Sequence, residues 1–206
     1  AKLVECLRSK TVAELLVNYR DELGPGIPAR PDLKIQTLVP SIEAVNDEEA
    51  FLVEHPLKIV TEGGAHRVPT LIGANADEGL IFSMVMYNSD EIVENYEKNW
   101  DNCICWTFGI PVDNPKATML AGIIKEIYFP ANSNLTQELK WEQFTRLFSD
   151  ALFFLHISHC ISVQRQFSPV YSYYFSRRGG PSLIEVQYPA MNKDSSPTMS
   201  DKSVTE

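Results

Sequence analysis

The 206-residue chain is long enough for one sizeable hydrophobic core, and its composition (44% hydrophobic, 10% aromatic, 22% charged) is that of an ordinary globular protein. The formal net charge is −9, from 18 basic and 27 acidic side chains. This excess of acid argues against a nucleic-acid partner, which needs a concentrated basic face, and the longest nearly apolar run, residues 151–158, is too short for a membrane span.

The first 64 residues predict two short helices separated by irregular chain. Thr11 and Glu14 have the spacing of a capping box, which marks the start of a helix. Residues 31–50 are typical of a loop with at most one short strand. Pro56 then opens a second short helix, because proline suits the first helical turn, and the pair Gly63–Gly64 ends it.

The next part of the chain predicts a strand, a long helical stretch and a second strand. Residues 70–73 form a nearly apolar run, and residues 169–176 form a strong strand pattern. Because a strand, a helical connection and a second strand make a crossover unit, the two strands are predicted to be parallel. Helical spacing is found between them at residues 80–87, 89–98, 115–128 and 137–166, and the C-terminal half of the last helix is expected to be buried on most sides.

Two parallel strands do not make a stable sheet alone, since parallel sheets contain several strands and are covered on both faces. We therefore expect sheet partners outside this chain, which also starts without an initiator Met, and we interpret the chain as a fragment or a processed product. Residues 187–206 are rich in polar residues and are predicted to be a disordered tail. Residues 1–186 then form the folded portion.

The four cysteines predict neither a disulfide framework nor a metal site. They are too few and too unevenly spread for such a framework, and two of them lie only two residues apart, where they cannot readily bridge. With His156 they match no zinc spacing, so we interpret them as small buried side chains. Glycine-rich phosphate loops are absent as well, and no cofactor is predicted. The cysteines are Cys6, Cys103, Cys105 and Cys160.

Two carboxylates, Asp77 and Glu78, follow directly after the first predicted strand. The carboxyl ends of parallel strands form the edge where α/β proteins bind ligands, and this is where the acid of a catalytic triad is found. The alternative is structural: Asn75 or Asp77 caps the next helix, and Glu78 complements its positive end. No Gly-x-Ser-x-Gly nucleophile motif occurs, and none of the four histidines follows a strand as a triad base would.

Five segments, in the same order along the chain, resemble segments of the type B carboxylesterases and cholinesterases, and in particular of the insect esterases. The central one is Val-Pro-Thr-Leu-Ile-Gly-Ala-Asn-Ala-Asp-Glu-Gly at residues 68–79, which resembles the sequence around the triad glutamate of that family. The resemblance covers roughly residues 1–185. The other four segments are Cys6–Lys10, Phe51–Pro56, Phe148–Phe154 and Pro169–Phe175.

The resemblance implies an α/β fold, here a partial α/β-hydrolase fold from the C-terminal part of the domain. It implies that Glu78 is the triad acid, that Cys6 is half of a disulfide whose partner precedes Ala1, and that Asp150 is a buried structural acid. The nucleophile and oxyanion-hole glycines of the family lie before this chain, and the expected triad histidine after the second strand is absent. Residues expected to line part of the substrate gorge, or else the core, are Phe82, Met84, Met86 and Trp106.

The resemblance also implies a function: a serine carboxylic ester hydrolase whose partner is a small-molecule ester. We expect the isolated chain to be inactive, because it holds the triad acid alone. The alternative is a non-catalytic cholinesterase-like adhesion or binding module, or a pseudoenzyme. A glycosylation sequon at Asn134, Asn-Leu-Thr, is compatible with a secreted or extracellular protein, with a cytoplasmic location left open.

Overall fold

The computed structural model describes residues 2–15, 40–87, 89–111, 113–131 and 133–177. A π-helical turn, Asp150–Phe154, joins the last two helices. In the described ranges no helix is both long and apolar enough to cross a bilayer. The helices and strands in chain order are α1 (Lys2–Arg8), α2 (Pro56–Thr61), β1 (Thr70–Asn75), α3 (Leu80–Tyr87), α4 (Asp90–Lys98), α5 (Trp100–Thr107), α6 (Ala117–Tyr128), α7 (Gln137–Ser149), α8 (Leu155–Gln164) and β2 (Val170–Phe175).

The two strands pair in parallel, as the crossover pattern predicted. Thr70 lies opposite Val170 and Asn75 opposite Phe175, so the two strands match along their whole length. The helices from α3 to α8 form the connection between them. The class is therefore α/β, with a helix-rich connection and, within the described residues, a sheet of two strands.

The local signals near the N-terminal end of the chain are confirmed in atomic detail. Thr11 N–H donates to Glu14 Oε2 at 2.8 Å, and Glu14 N–H donates to Thr11 Oγ1 at 3.3 Å, which is the reciprocal pair of a capping box. His55 caps α2 by accepting from Leu57 N–H at Nδ1. Gly63, at φ +74°, takes the left-handed conformation that ends this helix. Residues 40–50 contain no helix or strand, and residues 31–39 lie outside the described residues.

An aromatic core lies between α3, α4, α5, α6 and α7. Its centre is Tyr96, which is fully buried and meets Trp100, Phe144 and Phe148 edge-on, at ring-centroid distances of 5.8, 5.4 and 5.9 Å. Edge-on contact suits aromatic rings because the positive edge of one faces the negative face of the other. The buried residues of this core are Met86, Tyr96, Trp100, Cys103, Ile104, Ala121, Tyr128, Phe144, Leu147 and Phe148.

Two expectations about the helices need correction. Helix α5 was not predicted, since its sequence Trp-Asp-Asn-Cys-Ile-Cys-Trp-Thr is made of weak helix formers, and packing of its buried face stabilises it. The predicted helix 137–166 is present, but its C-terminal half is not buried on most sides. In α8 Val163 is the one buried residue, and Leu155 is 52% exposed. This half lies beside a two-stranded sheet that leaves much of its surface uncovered.

Candidate active site

Glu78 lies in the turn between β1 and α3, at the carboxyl end of the strand. Its Oε1 accepts two hydrogen bonds from Asn75, one from the backbone N–H at 2.8 Å and one from Nδ2 at 2.9 Å. The side chain is half-buried. No described residue donates a hydrogen bond to Oε2. One carboxylate oxygen is thus held by the end of the strand, and the other is available to an imidazole N–H.

The end of β2 lies beside this turn. Ala76 N–H donates to the carbonyl of Phe175 at 2.9 Å, and Tyr174 Oη donates to the carbonyl of Ala76 at 3.4 Å. The chain that leaves β2 at Ser176 therefore starts at the same edge of the sheet as Glu78. Residues 178–206, which include the predicted tail and the place where a triad histidine was sought, lie outside the described residues.

A row of buried polar contacts, here called the polar seam, joins this turn and α3 to helix α7. Gly79 N–H donates to Ser149 Oγ at 2.8 Å, and the hydroxyls of Ser83 and Thr145 lie 2.6 Å apart. Trp141 Nε1 donates to the carbonyl of Ser83 at 3.0 Å. The α7 members are four residues apart, so they share one helix face. The Gly79–Ser149 bond fixes the turn that carries Glu78 against α7, and the other two contacts fix α3 against α7.

Asp150 is less buried than the resemblance implied. It is 37% exposed at the start of the π-helical turn, and it accepts a hydrogen bond from Tyr128 Oη at 2.7 Å. Arg146 Nε lies 3.9 Å from the same oxygen. Burial, followed by the hydrogen bond to Asp150, raises the pKa of Tyr128. Asp150 thus links α6 to the π-helical turn that follows α7.

The cysteines differ in their surroundings. Cys103 and Cys105 are buried, as predicted, whereas Cys6 is exposed and Cys160 is half-buried. Burial raises the pKa of Cys103 to about 11, which keeps its thiol neutral and unreactive at physiological pH. No two of the four cysteines are bonded to each other, and the disulfide that the resemblance implies for Cys6 stays a prediction. Within the described ranges no three His, Cys, Asp or Glu side chains converge as metal ligands.

The residues proposed as gorge lining or core mostly belong to the core. Met84 and Met86 are buried, at 1% and 2% exposure, and Phe82 packs against the aromatic core. Trp106 is half-buried. None of the four histidines, all in described parts of the chain, is hydrogen-bonded to Glu78. His156 and His159 are exposed on α8, and His55 is used as a helix cap.

Asn134 lies exposed in the irregular segment before α7. The sequon threonine, Thr136, caps that helix by accepting from Leu139 N–H at 3.3 Å. The side-chain amide of Asn134 thus lies on the surface, just before the start of α7.

Comparison with known proteins settles the family. A model described as the carboxylesterase family matches residues 1–201. The chain belongs to the carboxylesterase family. The resemblance stated from the five segments is therefore confirmed, and an α/β-hydrolase fold is implied for the family to which this α/β chain belongs.

Individual relatives agree with this assignment. Esterase E4 of Myzus persicae is 28% identical over 98% of this chain and 35% of its own length. Venom carboxylesterase-6 of Apis mellifera is 24% identical over 90% of the chain and 32% of its own length, and acylcarnitine hydrolase of Rattus norvegicus is 30% identical over 84% and 27%. The chain thus spans about a third of the length of these carboxylesterases.

Two residues around Glu78 escaped the sequence analysis. Asn75 was weighed only as a cap of the following helix, and its position three residues before Glu78 was the signal for its contact with the carboxylate. No role was predicted for Ser149. Its spacing of four from Thr145 was the signal that polar residues share a buried face.

Proposed function

We propose that Glu78 is the acid of a Ser-His-Glu triad in a carboxylic ester hydrolase. Membership of the carboxylesterase family supports ester hydrolysis. The observation that carries the role of Glu78 is its position at the carboxyl end of β1, with Oε1 held by Asn75 and Oε2 directed to no described donor. In a triad this acid orients the imidazole and stabilises its protonated form.

The chemistry needs two further groups. A serine hydroxyl attacks the ester carbonyl while a histidine takes its proton, an alcohol leaves, and water then hydrolyses the acyl-enzyme. The histidine would follow β2, and the chain that leaves β2 starts beside the Glu78 turn. Residues 176–206 contain no histidine, so the proposal requires one from outside the 206 residues. The geometry of the sheet edge thus suits delivery of a base to Oε2. The 206 residues contain no Gly-x-Ser-x-Gly motif, so the proposal includes that they are inactive alone.

The test uses the full translation product that contains this chain and a p-nitrophenyl ester. Glu78→Gln should lower kcat by roughly a thousandfold or more, because the amide cannot stabilise the protonated imidazole. Asp77→Asn is the matched control, since it removes the neighbouring carboxylate of the same turn and should retain most of the activity. Equal activity of both variants and the unsubstituted protein would refute the role of Glu78. Titratable turnover by the pure 206-residue chain would refute the inactivity.

A non-catalytic binding module is favoured by one observation: both hydrogen bonds of Glu78 are made with Asn75 of its own strand end. Under this alternative the carboxylate merely stabilises the turn. The same experiment separates the two functions, because Glu78→Gln would then lower the melting temperature and leave no esterase activity to lose. A nucleophile motif in the full transcript favours the enzyme, and its absence favours the binding module.

A second proposal concerns modification: Asn134 carries an N-linked glycan, and the protein is exported. The exposure of Asn134 supports it, and so does the name of one relative, a venom carboxylesterase. Expressed through a eukaryotic secretory pathway, the protein should lose mass on treatment with peptide N-glycosidase. Asn134→Gln should remove that loss and keep Thr136, which caps α7. Unchanged mass of the treated protein would refute the site.

A further inference from the structure

We propose that Ser149 is a positioning residue for Glu78, an inference that rests on the proposed role of Glu78 as the triad acid. Ser149 follows Glu78 by 71 positions in sequence, yet its hydroxyl accepts the hydrogen bond of the next peptide N–H, that of Gly79, at 2.8 Å. It touches neither substrate nor the reacting atoms, so it would act through the backbone of the turn.

The hydroxyl of Ser149 is held in one orientation. Its Oγ–H donates to the carbonyl of Thr145 at 2.8 Å, which leaves its lone pairs for Gly79 N–H. Ser149 is 2% exposed, so water does not replace either bond. Because both bonds are buried, a shift of the Glu78–Gly79 peptide would leave polar groups unsatisfied.

The contact is close as well as polar. A Cβ on Gly79 would lie 2.1 Å from the carbonyl oxygen of Thr145 and 2.5 Å from the backbone nitrogen of Ser149. These are helix backbone atoms, which cannot rotate away as a side chain can. The peptide that follows Glu78 is therefore pressed against α7, and Glu78 is anchored at its carboxylate by Asn75 and at its backbone by Ser149.

Helix geometry changes at this contact. Ser149 is the last residue of α7, and the π-helical turn starts at Asp150. Such turns are rare and frequently occur at functional sites. Here the widened turn begins one residue after the side chain that holds the Glu78 turn.

The polar seam supplies a matched control. Ser83 and Thr145 make a buried hydroxyl contact between the same two parts of the structure, one helical turn farther along α3 from Glu78. Removal of either hydroxyl, in Ser149→Ala or Thr145→Val, leaves one buried partner unsatisfied. Both variants should therefore show a similar drop in Tm.

In the full translation product, Ser149→Ala should lower kcat on the order of 10- to 100-fold with KM unchanged, because a misplaced acid affects the chemical step and not substrate binding. Thr145→Val should leave kcat close to that of the unsubstituted protein. If Ser149→Ala keeps the kcat of Thr145→Val while Glu78→Gln loses activity, the inference fails and the triad proposal stands. If Glu78→Gln keeps full activity, both fail.

Hydrogen exchange on the unsubstituted 206-residue chain gives a second test that needs no activity and no folded variant. The Gly79 amide should be protected about as strongly as the amides of the buried face of α7, because its acceptor is buried. Exchange at the rate of an unprotected amide, in a chain whose α7 amides are protected, would overturn the inference.

Discussion

The helical layer, formed by α3 to α7, and the two-stranded sheet differ sharply in how well each covers its own apolar surface. Tyr96 in the helical layer is fully buried, with three rings edge-on around it. In β2, by contrast, all residues from Tyr171 to Phe175 are exposed, and Leu71 of β1 is 71% exposed. The helices close their own core, whereas the strands present apolar surface that nothing in the described residues covers.

This difference separates the source of stability from the proposed site of chemistry. Glu78 belongs to the end of the poorly covered sheet, but its turn is tied to the well-packed helices through Gly79 and Ser149. Substitutions in the core should therefore change stability strongly, those on the sheet faces should change it little, and those at the junction should be intermediate.

The largest expected effect is in the helical core. Phe148→Ala should lower the free energy of unfolding by about 3–5 kcal/mol, because it removes a fully buried ring and leaves a cavity beside Tyr96 and Phe144. Leu71→Ala is the matched truncation on the sheet and should cost less than about 0.5 kcal/mol. Urea unfolding of the 206-residue chain measures both. Equal losses would show that the sheet is as well packed as the helices.

The junction gives the next largest effect. Gly79→Ala should cost about 2 kcal/mol or more, because its Cβ would collide with backbone atoms of α7 that cannot move aside. Gly122→Ala in α6 is the control, since a Cβ there meets nothing within 4 Å. It should stabilise the protein by about 0.5–1 kcal/mol through the better helix propensity of alanine. Thermal melts of both variants measure the difference, and a stabilising Gly79→Ala would contradict the close contact.

The same contrast explains how far the sequence could predict the fold. The capping box at Thr11 and Glu14, the helix after Pro56 and the parallel crossover all depend on local patterns, and each is confirmed. Helix α5 depends instead on packing of Trp100, Cys103 and Ile104 into the core, which no local propensity reveals. Burial of α8 was predicted from its composition, but burial depends on which neighbours cover it.

In the candidate site, too, features set by local pattern could be predicted and features set by packing could not. The position of Glu78 after an apolar strand could be predicted, because the edge where parallel strands end is set by the fold class. Its anchors could not: Ser149 contacts Gly79 of the turn from 70 residues away, a separation that no local pattern reveals. The contact with Asn75 is local, but the same pattern also fits a helix cap, so the sequence alone left the two open.

The smallest expected effect is a pH dependence of the free energy of unfolding, which a buried thiol of the helical core causes. Burial raises the pKa of Cys103, in the helical core, to about 11, from an ordinary value near 9. A group with a pKa raised by folding contributes stability that is complete below the unfolded pKa and is lost as pH rises through the folded one. The free energy of unfolding should therefore fall between about pH 9 and 11, by at most about 1.4 kcal/mol per pH unit for this thiol.

Cys103→Ala should reduce that slope in urea unfolding at pH 8, 9 and 10, since alanine has no proton to lose. Ser83→Ala is the control: it removes a buried hydroxyl that does not ionise in this range, so it should lower stability equally at each pH. The slope that remains in Cys103→Ala comes first from Cys105, whose pKa burial also raises, and above pH 10 from Tyr96 and Tyr128, whose pKa values burial raises as well. An unchanged slope in Cys103→Ala would mean that the thiol reaches solvent, and that the core is less closed than its contacts indicate.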